Sequence, residues 1–235
     1  QTHSLCEHCY KHVEAQTFER DGSIWMSKDC PEHGVSEYMI ESNANFYHSL
    51  DYDVHAYDIP NSIMIEVTDR CNLNCPHCYH EPENKTTDVP ISFLMNKLKS
   101  WPQSAGGVIL AGAEPTIRKD LPELITTITD WQATTERTHQ DVTILTNGVK
   151  LSDKAWTQRI KDAGCSAVMI GLNHPSYQGE TVHRKQLQGI ANCVEVGLPI
   201  YYIGYTIEDY DQLPFVLNEI QEFGDSAMQY RIRAG

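Results

Sequence analysis

The sequence lacks any run of the roughly 18 consecutive apolar residues that a membrane span needs, and its first residues contain no apolar signal core. Basic side chains are scarce, since 18 Lys and Arg stand against 32 Asp and Glu and give a formal net charge of −14. Such a surface repels the phosphate backbone of nucleic acids, and no basic stripe offsets it. We therefore expect a cytoplasmic protein that has no membrane span and binds no nucleic acid.

Cysteine, by contrast, is abundant, with eight residues in 235. Six of them lie in two tight groups, and Cys165 and Cys193 stand alone. Disulfide pairing does not require such grouping, and a reducing compartment does not keep disulfides oxidised. Cysteines spaced by two or three residues are typical of metal ligation. The two groups are Cys6, Cys9 and Cys30, and Cys71, Cys75 and Cys78.

The chain divides by pattern into three segments. In residues 1–50, two polar knuckles flank Asp21-Gly22, a dipeptide that favours a tight hairpin turn. We predict a small metal-knuckle domain there, a polar linker over 51–60 and a larger domain over 61–235.

In the larger segment, apolar strand-like runs alternate with amphipathic stretches. Strands are predicted at Ile63–Val67, Gly107–Leu110, Val142–Leu145, Ala167–Leu172, Ile200–Ile207 and Met228–Ile232, and helices at 91–101, 119–137, 151–163, 178–197 and 210–224. This alternation indicates a parallel sheet. Six units are too few for a closed eight-unit barrel. The expected fold class is therefore α/β: an open partial (β/α)6 barrel preceded by a small N-terminal metal-binding β-hairpin domain.

The second cysteine group follows the first predicted strand as Cys71-Asn-Leu-Asn-Cys75-Pro-His-Cys78. Three thiolates can hold three corners of a four-iron cluster and leave one iron without a protein ligand. The amino and carboxylate groups of S-adenosylmethionine can chelate that iron. One electron into the sulfonium would then break a carbon–sulfur bond and release a 5′-deoxyadenosyl radical. The competing interpretation is a zinc knuckle with His77 or His80 as its fourth ligand.

The triad and its position after a strand resemble the signature of the radical S-adenosylmethionine (radical SAM) superfamily, over residues 61–235. The resemblance implies a [4Fe–4S] cluster on Cys71, Cys75 and Cys78 and main-chain contact of His77 with the adenine. It also implies that Ala111-Gly-Ala-Glu-Pro115 corresponds to a Gly-Gly-Glu-Pro segment that holds the methionine amino group. Alone, that segment reads equally as a turn, as does Asn147-Gly148.

Further cofactor contacts are expected where the later strands end. Asn173 is placed to bond a ribose hydroxyl or the carboxylate, Gly204 lies beside the adenine, and Arg231 or Arg233 pairs with the carboxylate. The residues expected to bind S-adenosylmethionine are His77, Gly112, Ala113, Glu114, Pro115, Asn147, Asn173, Gly204 and Arg233. The sequence identifies no catalytic side chain.

The N-terminal knuckles offer Cys6, Cys9, Cys30 and His33, a closed Cys3His set at structural-zinc spacing, with His8 and His12 as rival fourth ligands. A rubredoxin-like mononuclear iron is the alternative metal. Knuckles before a radical core resemble the branch of archaeal pterin methylases and tetraether lipid synthases. Members of that branch carry a C-terminal region with further cysteines that has no counterpart in this sequence, so the branch-specific chemistry is not carried over.

The leading hypothesis is a radical SAM enzyme that acts on a small organic molecule by hydrogen abstraction, methylation, bond formation or aminocarboxypropyl transfer. Its cofactors would be the cluster, S-adenosylmethionine and zinc or iron, and its partner a one-electron donor such as flavodoxin or ferredoxin. The alternative, from another class, is a non-catalytic zinc-binding interaction module in which both cysteine groups are structural.

Overall fold

The computed structural model describes residues 2–49, 62–76, 78, 80, 82–101, 107–135 and 140–234. Contacts divide the chain into two compact units, Gln1–Asp58 and Ile59–Gly235. The linker predicted over 51–60 lies outside the described residues. Among the helices described, none combines the length and apolar composition of a membrane span.

The first unit is a four-stranded antiparallel sheet in chain order. Its strands are β1 (Thr2–Leu5), β2 (His12–Arg20), β3 (Ser23–Cys30) and β4 (Gly34–Glu41), followed by helix α1 (Ala44–Ser49). Between β2 and β3, Asp21 and Gly22 both have positive φ, 52° and 74°, as a two-residue type I′ hairpin turn requires. The predicted hairpin is confirmed. Strands β1 and β4 extend it, and the sequence pattern did not predict them.

Few apolar side chains are buried in this unit. One cluster consists of Cys6, Val13 and Cys30, with Cys9 packed against it. Three of its four members are therefore candidate metal ligands. A sheet with so small a core gains much of its stability from a bound metal.

The second unit contains a six-stranded sheet in the order β10-β9-β8-β7-β6-β5. Every neighbouring pair in it is parallel. The strands are β5 (Ser62–Glu66), β6 (Gly107–Ala111), β7 (Val142–Thr146), β8 (Ala167–Asn173), β9 (Ile200–Ile207) and β10 (Tyr230–Ala234). The predicted α/β fold with six parallel strands is confirmed. The last strand begins two residues later than predicted, and Met228 is exposed.

Helices separate the strands. They are α2 (Ile91–Lys99), α3 (Leu121–Ala133), α4 (Lys154–Asp162), α5 (Pro175–Gln178), α6 (Glu180–Val196) and α7 (Leu213–Phe223). All five predicted helices are present with shorter bounds, and the four-residue α5 was not predicted. At the start of α4 the Asp153 carboxylate accepts a hydrogen bond from the Trp156 amide.

The apolar side chains of the strands are buried under the helices that cover the sheet. Leu110, Val142, Ile144, Val168 and Ile170 are almost fully buried and belong to one continuous core. Near-continuous apolar runs are typical of parallel strands that are packed on both faces. Because the strands run in one direction, their carboxyl ends meet at a single edge, where the loops that carry the predicted site residues also lie.

Candidate metal and cofactor sites

The N-terminal knuckles bring four ligand atoms together. The Sγ atoms of Cys6, Cys9 and Cys30 and a ring nitrogen of His33 all lie within 4.8 Å of one another. The Sγ atoms of Cys9 and Cys30 are 3.9 Å apart, and His33 Nδ1 lies 3.6 Å and 3.5 Å from the Sγ atoms of Cys6 and Cys30. A tetrahedral zinc site has S···S edges of about 3.8 Å and S···N edges of about 3.6 Å. The donor set therefore fits zinc.

Main-chain geometry forms the first knuckle. Tyr10 N donates to Cys6 O over 2.9 Å and Cys6 N donates to Lys11 O over 3.0 Å, which curls the chain around the sulfurs. The backbone amides of Cys9 and His8 lower the pKa of the Cys6 thiol to about 6. This thiol is thus already inclined towards the thiolate form that ligates metals. Of the three candidate histidines, His33 belongs to the convergent set, and the His8 ring lies 5.1 Å from it.

The second cysteine group lines a cavity of about 180 Å³ at the carboxyl ends of the strands. All six strands of the sheet, or the loops that follow them, contribute residues to its walls: Cys71, Cys75, Cys78, His80, Gly112, Ala113, Glu114, Leu145, Thr146, Asn147, Gly171, Leu172, Asn173, Gly204, Thr206 and Arg233. The structure thus brings the cysteine triad together with seven of the nine residues predicted to bind S-adenosylmethionine. His77 lies outside the described residues.

A larger cavity of about 460 Å³ opens at the opposite, amino ends of the strands. Its described lining contains one carboxylate, Asp141, and no cysteine or histidine. The described lining of the larger cavity therefore lacks the metal-ligating side chains, and the smaller cavity contains them. We place the functional site at the smaller one because the metal-ligating side chains lie there.

The triad is not among the described groups whose ligand atoms converge on one point. Among the described residues, only the N-terminal group places its ligand atoms within 4.8 Å of one another. A single tetrahedral ion needs that closeness, whereas the corners of an iron–sulfur cube hold their thiolates further apart. The spacing disfavours the zinc-knuckle interpretation of Cys71, Cys75 and Cys78.

Without a bound cation, burial disfavours the deprotonated, thiolate form of the triad cysteines. It raises the pKa of Cys71 to about 11, with added contributions from the negative charges of Glu114, Cys75 and Cys78. Burial also raises the pKa of Cys75, as does the charge of Cys78. A bound metal cluster reverses this preference because it compensates the thiolate charges directly. The donor set fits a cationic iron–sulfur core.

A fully buried guanidinium, that of Arg118, closes the segment that carries the triad. Its Nη1 donates to Val67 O over 2.6 Å and to Val89 O over 2.8 Å. Its Nε and Nη2 form a bidentate pair with Asp120 at 3.0 Å and 2.8 Å. Arg118 thereby joins the two ends of the cysteine segment. The sequence does not single out this residue, because nothing in its local pattern distinguishes a buried arginine from an exposed one.

Gly112 allows two backbones to pack directly against each other. It has a φ of +119°, and a Cβ built there would lie 2.4 Å from Thr68 O. The neighbouring Ala113 N donates to the same Thr68 oxygen over 2.9 Å. A glycine is therefore required at position 112, while the methyl group of Ala113 is tolerated at the cavity wall.

The Glu114 carboxylate is buried and accepts four hydrogen bonds from the protein itself. Oε1 accepts from Thr116 N at 3.1 Å, from the Thr116 hydroxyl, and from the Thr146 hydroxyl at 2.6 Å. Among the described residues, Oε2 accepts from Asn147 N alone, at 2.6 Å. Burial raises the pKa of Glu114 despite these donors. The carboxylate thus joins the loops after β6 and β7 and keeps spare acceptor capacity on Oε2.

Of the other predicted residues, some line the cavity and others hold the loops around it. Asn173, Gly204 and Arg233 line the cavity. Asn147 Nδ2 donates to Asn72 Oδ1 over 2.8 Å and lies 3.7 Å from Cys71 Sγ. Pro115 is buried and begins a 3-10 turn. Arg231 stacks on the Tyr202 ring instead, with 4.3 Å between its guanidinium carbon and the ring centroid.

Comparison with known protein families gives two matches. Residues 65–218 match the radical SAM superfamily, and residues 1–42 match the family described as HMPTM N-terminal zinc ribbon domain.

Three curated relatives, all archaeal, illustrate the similarity. The 7,8-dihydro-6-hydroxymethylpterin dimethyltransferase of Methanocaldococcus jannaschii is 30% identical over 232 residues, which cover 83% of this chain and 44% of the relative. A probable GTP 3′,8-cyclase of Methanococcus maripaludis is 28% identical, covering 69% and 56%. The Fe-coproporphyrin III synthase of Methanosarcina barkeri is 30% identical, covering 59% and 35%. The chain thus spans about half the length or less of these relatives.

Two solved structures share the fold. HydG, a maturase of the [FeFe]-hydrogenase, superposes with a TM-score of 0.53 at 16% identity, covering 74% of this chain and 43% of that one. The anSMEcpe structure with bound AdoMet and the Cp18Cys peptide gives a TM-score of 0.52 at 14% identity, covering 73% and 50%.

Replacing Cys9 by Ala should abolish zinc binding by the N-terminal unit, because three ligands no longer close the tetrahedron. We expect zinc content to fall from about one ion per chain to near zero and the melting temperature to drop. Elemental analysis and calorimetry measure both. The control Cys165→Ala removes a buried thiol outside either group and should retain zinc; equal zinc in Cys9→Ala and wild type would contradict the assignment.

Replacing Arg118 by Met should lower the free energy of unfolding by about 2–4 kcal/mol, because the buried Val67 carbonyl and the part-buried Val89 carbonyl lose their donor. Urea denaturation of the second unit measures the loss. The exposed Arg184→Met serves as the control and should change stability by less than about 0.5 kcal/mol. An equally small effect of Arg118→Met would show that these hydrogen bonds are not needed.

Replacing Glu114 by Gln should change how stability depends on pH. Because burial raises the folded-state pKa of Glu114, the folded chain binds this proton more tightly than the unfolded chain. Its contribution is therefore fully present below the unfolded pKa and is lost as pH rises through the folded pKa. We expect the wild type to gain stability relative to Glu114→Gln as pH falls from about 7 to about 5.

Urea denaturation of the metal-free protein at each pH measures this difference. The exposed Glu123→Gln is the matched control, and its stability should differ from that of the wild type by less than about 0.5 kcal/mol at each pH. A Glu114→Gln difference that stays constant, or that grows with rising pH, would show that the carboxylate is not destabilised by its burial.

Proposed function

The chain belongs to the radical SAM superfamily, and on that premise we propose that it is an enzyme that reductively cleaves S-adenosylmethionine at a [4Fe–4S] cluster held by Cys71, Cys75 and Cys78. One observation carries the proposal: the three thiols share a cavity with polar groups from the other strand ends. When bound, the cluster supplies one electron that breaks a carbon–sulfur bond of the sulfonium and so generates a carbon-centred radical.

The chain's own residues bind and orient the cofactor. Arg233 supplies a guanidinium for the methionine carboxylate, and Asn173 supplies an amide for the carboxylate or a ribose hydroxyl. The spare lone pair of Glu114 Oε2 can accept from the ammonium. Support for these roles is that all three line the same cavity as the triad.

The remaining predicted residues form the cavity wall or hold the loops behind it. Gly204 leaves room for the adenine, because it lines the cavity without a side chain. Gly112 and Ala113 set the wall on the amino-group side, while Pro115 and Asn147 hold the loops behind it. The contact of His77 with the adenine remains a prediction. The domain division at residues 1–50 and 61–235 is likewise proposed, with zinc stabilising the first domain.

We assign the substrate to the class of small organic molecules. The relatives are named for a pterin, GTP and Fe-coproporphyrin, which are all small heterocyclic compounds. The match of residues 1–42 to the HMPTM zinc ribbon favours methylation of a pterin as the first reaction to test. The electron would come from a one-electron carrier such as flavodoxin or ferredoxin in the cytoplasm, where eight unpaired thiols stay reduced.

Anaerobic reconstitution tests the proposal. We expect about four irons and four sulfides at the triad, and formation of 5′-deoxyadenosine when S-adenosylmethionine and dithionite are added. Mass spectrometry should also search for methylthioadenosine, the product expected if the aminocarboxypropyl bond breaks instead. Replacing Cys75 by Ala should reduce cofactor cleavage to background, because the cluster loses one of its three ligands.

The matched control is Cys9→Ala, which should be less stable yet still cleave the cofactor. A colourless wild type that binds two zinc ions and cleaves nothing would support the non-catalytic zinc module instead. Equal loss of cleavage in a folded Cys9→Ala protein would mean that the N-terminal metal takes part in electron transfer.

A further inference from the structure

The side-chain amide of Gln178 lies against a cysteine of the triad. Gln178 Nε2 donates a hydrogen bond to Cys75 Sγ, although 103 residues separate the two in the sequence. Gln178 is the last residue of α5 (Pro175–Gln178), the short helix that follows β8 and Asn173. The end of a strand on the cofactor side of the sheet is thus connected directly to the cysteine segment.

Several contacts hold α5 in place and so fix the amide. His174 begins the helix by accepting from Ser176 N at 3.3 Å, and Gly179 N closes it by donating to Pro175 O over 2.7 Å. The adjoining Tyr177 hydroxyl accepts from Gln212 Nε2 over 2.6 Å. Gln178 therefore approaches Cys75 from a helix that is capped at both ends and bonded to Gln212.

The oxygen and the nitrogen of the Gln178 side-chain amide differ in their hydrogen bonding. Gln178 Oε1 is buried and has no hydrogen-bond partner in the part of the chain that is described. A buried carbonyl oxygen without a partner costs free energy that an apolar side chain of similar size would avoid. The amide makes its described hydrogen bond through the donor Nε2, to Cys75 Sγ.

The orientation of the amide follows from the charge on sulfur. A metal-bound thiolate carries no proton and can only accept a hydrogen bond. An amide oxygen facing it would be repelled, whereas the NH2 group donates to it. The assignment of Nε2 towards Cys75 is therefore the one that suits a ligated sulfur.

We propose that Gln178 is a positioning residue that sets the reduction potential of the cluster by donating a hydrogen bond to the Cys75 thiolate, an inference that rests on the proposed cluster site. Reduction adds one electron and increases the negative charge on the ligand sulfurs. A donor at sulfur consequently stabilises the reduced form more than the oxidised form and raises the potential. Gln178 makes the cluster easier to reduce.

Replacing Gln178 by Leu removes the donor and keeps a side chain of similar bulk. At a fixed potential, the ratio of reduced to oxidised cluster should fall about tenfold, which is about 59 mV for a one-electron couple. Dithionite titration followed by electron paramagnetic resonance measures the midpoint potential. Gln188→Leu, which removes an exposed amide from α6, is the matched control and should titrate like the wild type.

A measurement on the wild type keeps the inference testable if Gln178→Leu loses its cluster. Protein labelled with 15N only at glutamine side chains should show a 15N coupling to the reduced cluster in pulsed paramagnetic resonance. Gln188→Leu should retain this coupling.

The outcomes separate the two proposals. Four irons and sulfides in the wild type, with no 15N coupling or with an unchanged potential in Gln178→Leu, would overturn the role of Gln178 alone. A wild type that binds no cluster would overturn the proposed function and this inference together. A lowered potential in Gln178→Leu, with the coupling present in the wild type, would establish the hydrogen bond.

Discussion

The candidate site depends on one buried charge, the guanidinium of Arg118. It contacts the carbonyl oxygens of Val67 and Val89, which are the two ends of the segment that carries all three triad cysteines. Asp120 balances its charge, so the group can be buried without an isolated cation. A segment that is irregular in the middle is thereby anchored to the sheet at both ends.

A second layer of contacts connects this segment to its neighbours. Gly112 packs its backbone on Thr68, and the Glu114 carboxylate gathers donors from Thr116, Thr146 and Asn147. Adjacent strand ends are therefore joined by hydrogen bonds that run across the sheet edge. Such a network holds polar groups around the cavity in fixed positions, as binding of a flexible cofactor requires.

The two cysteine groups solve different physical problems. In the N-terminal unit the ligands are themselves most of a small core, and four converging donors leave no open position. In the second unit a large apolar core forms without the cysteines, whose sulfurs lie at the cavity instead. The first arrangement suits a metal that stabilises the fold of the N-terminal unit. The second suits a cluster with one iron that has no protein ligand and can bind a cofactor.

The sequence alone determined the parallel α/β fold, the positions of the strands, and both sets of candidate ligands, because these follow from local apolar runs and short spacings. It did not predict β1, β4 or α5, which are short or lack a clear periodic pattern. Only the tertiary structure decided that Arg233 and not Arg231 lines the cavity, that Arg118 is buried, and that Gln178 meets Cys75. The physical reason is distance along the chain: contacts between residues 51 and 103 positions apart depend on how strands align and loops pack, which no local pattern records.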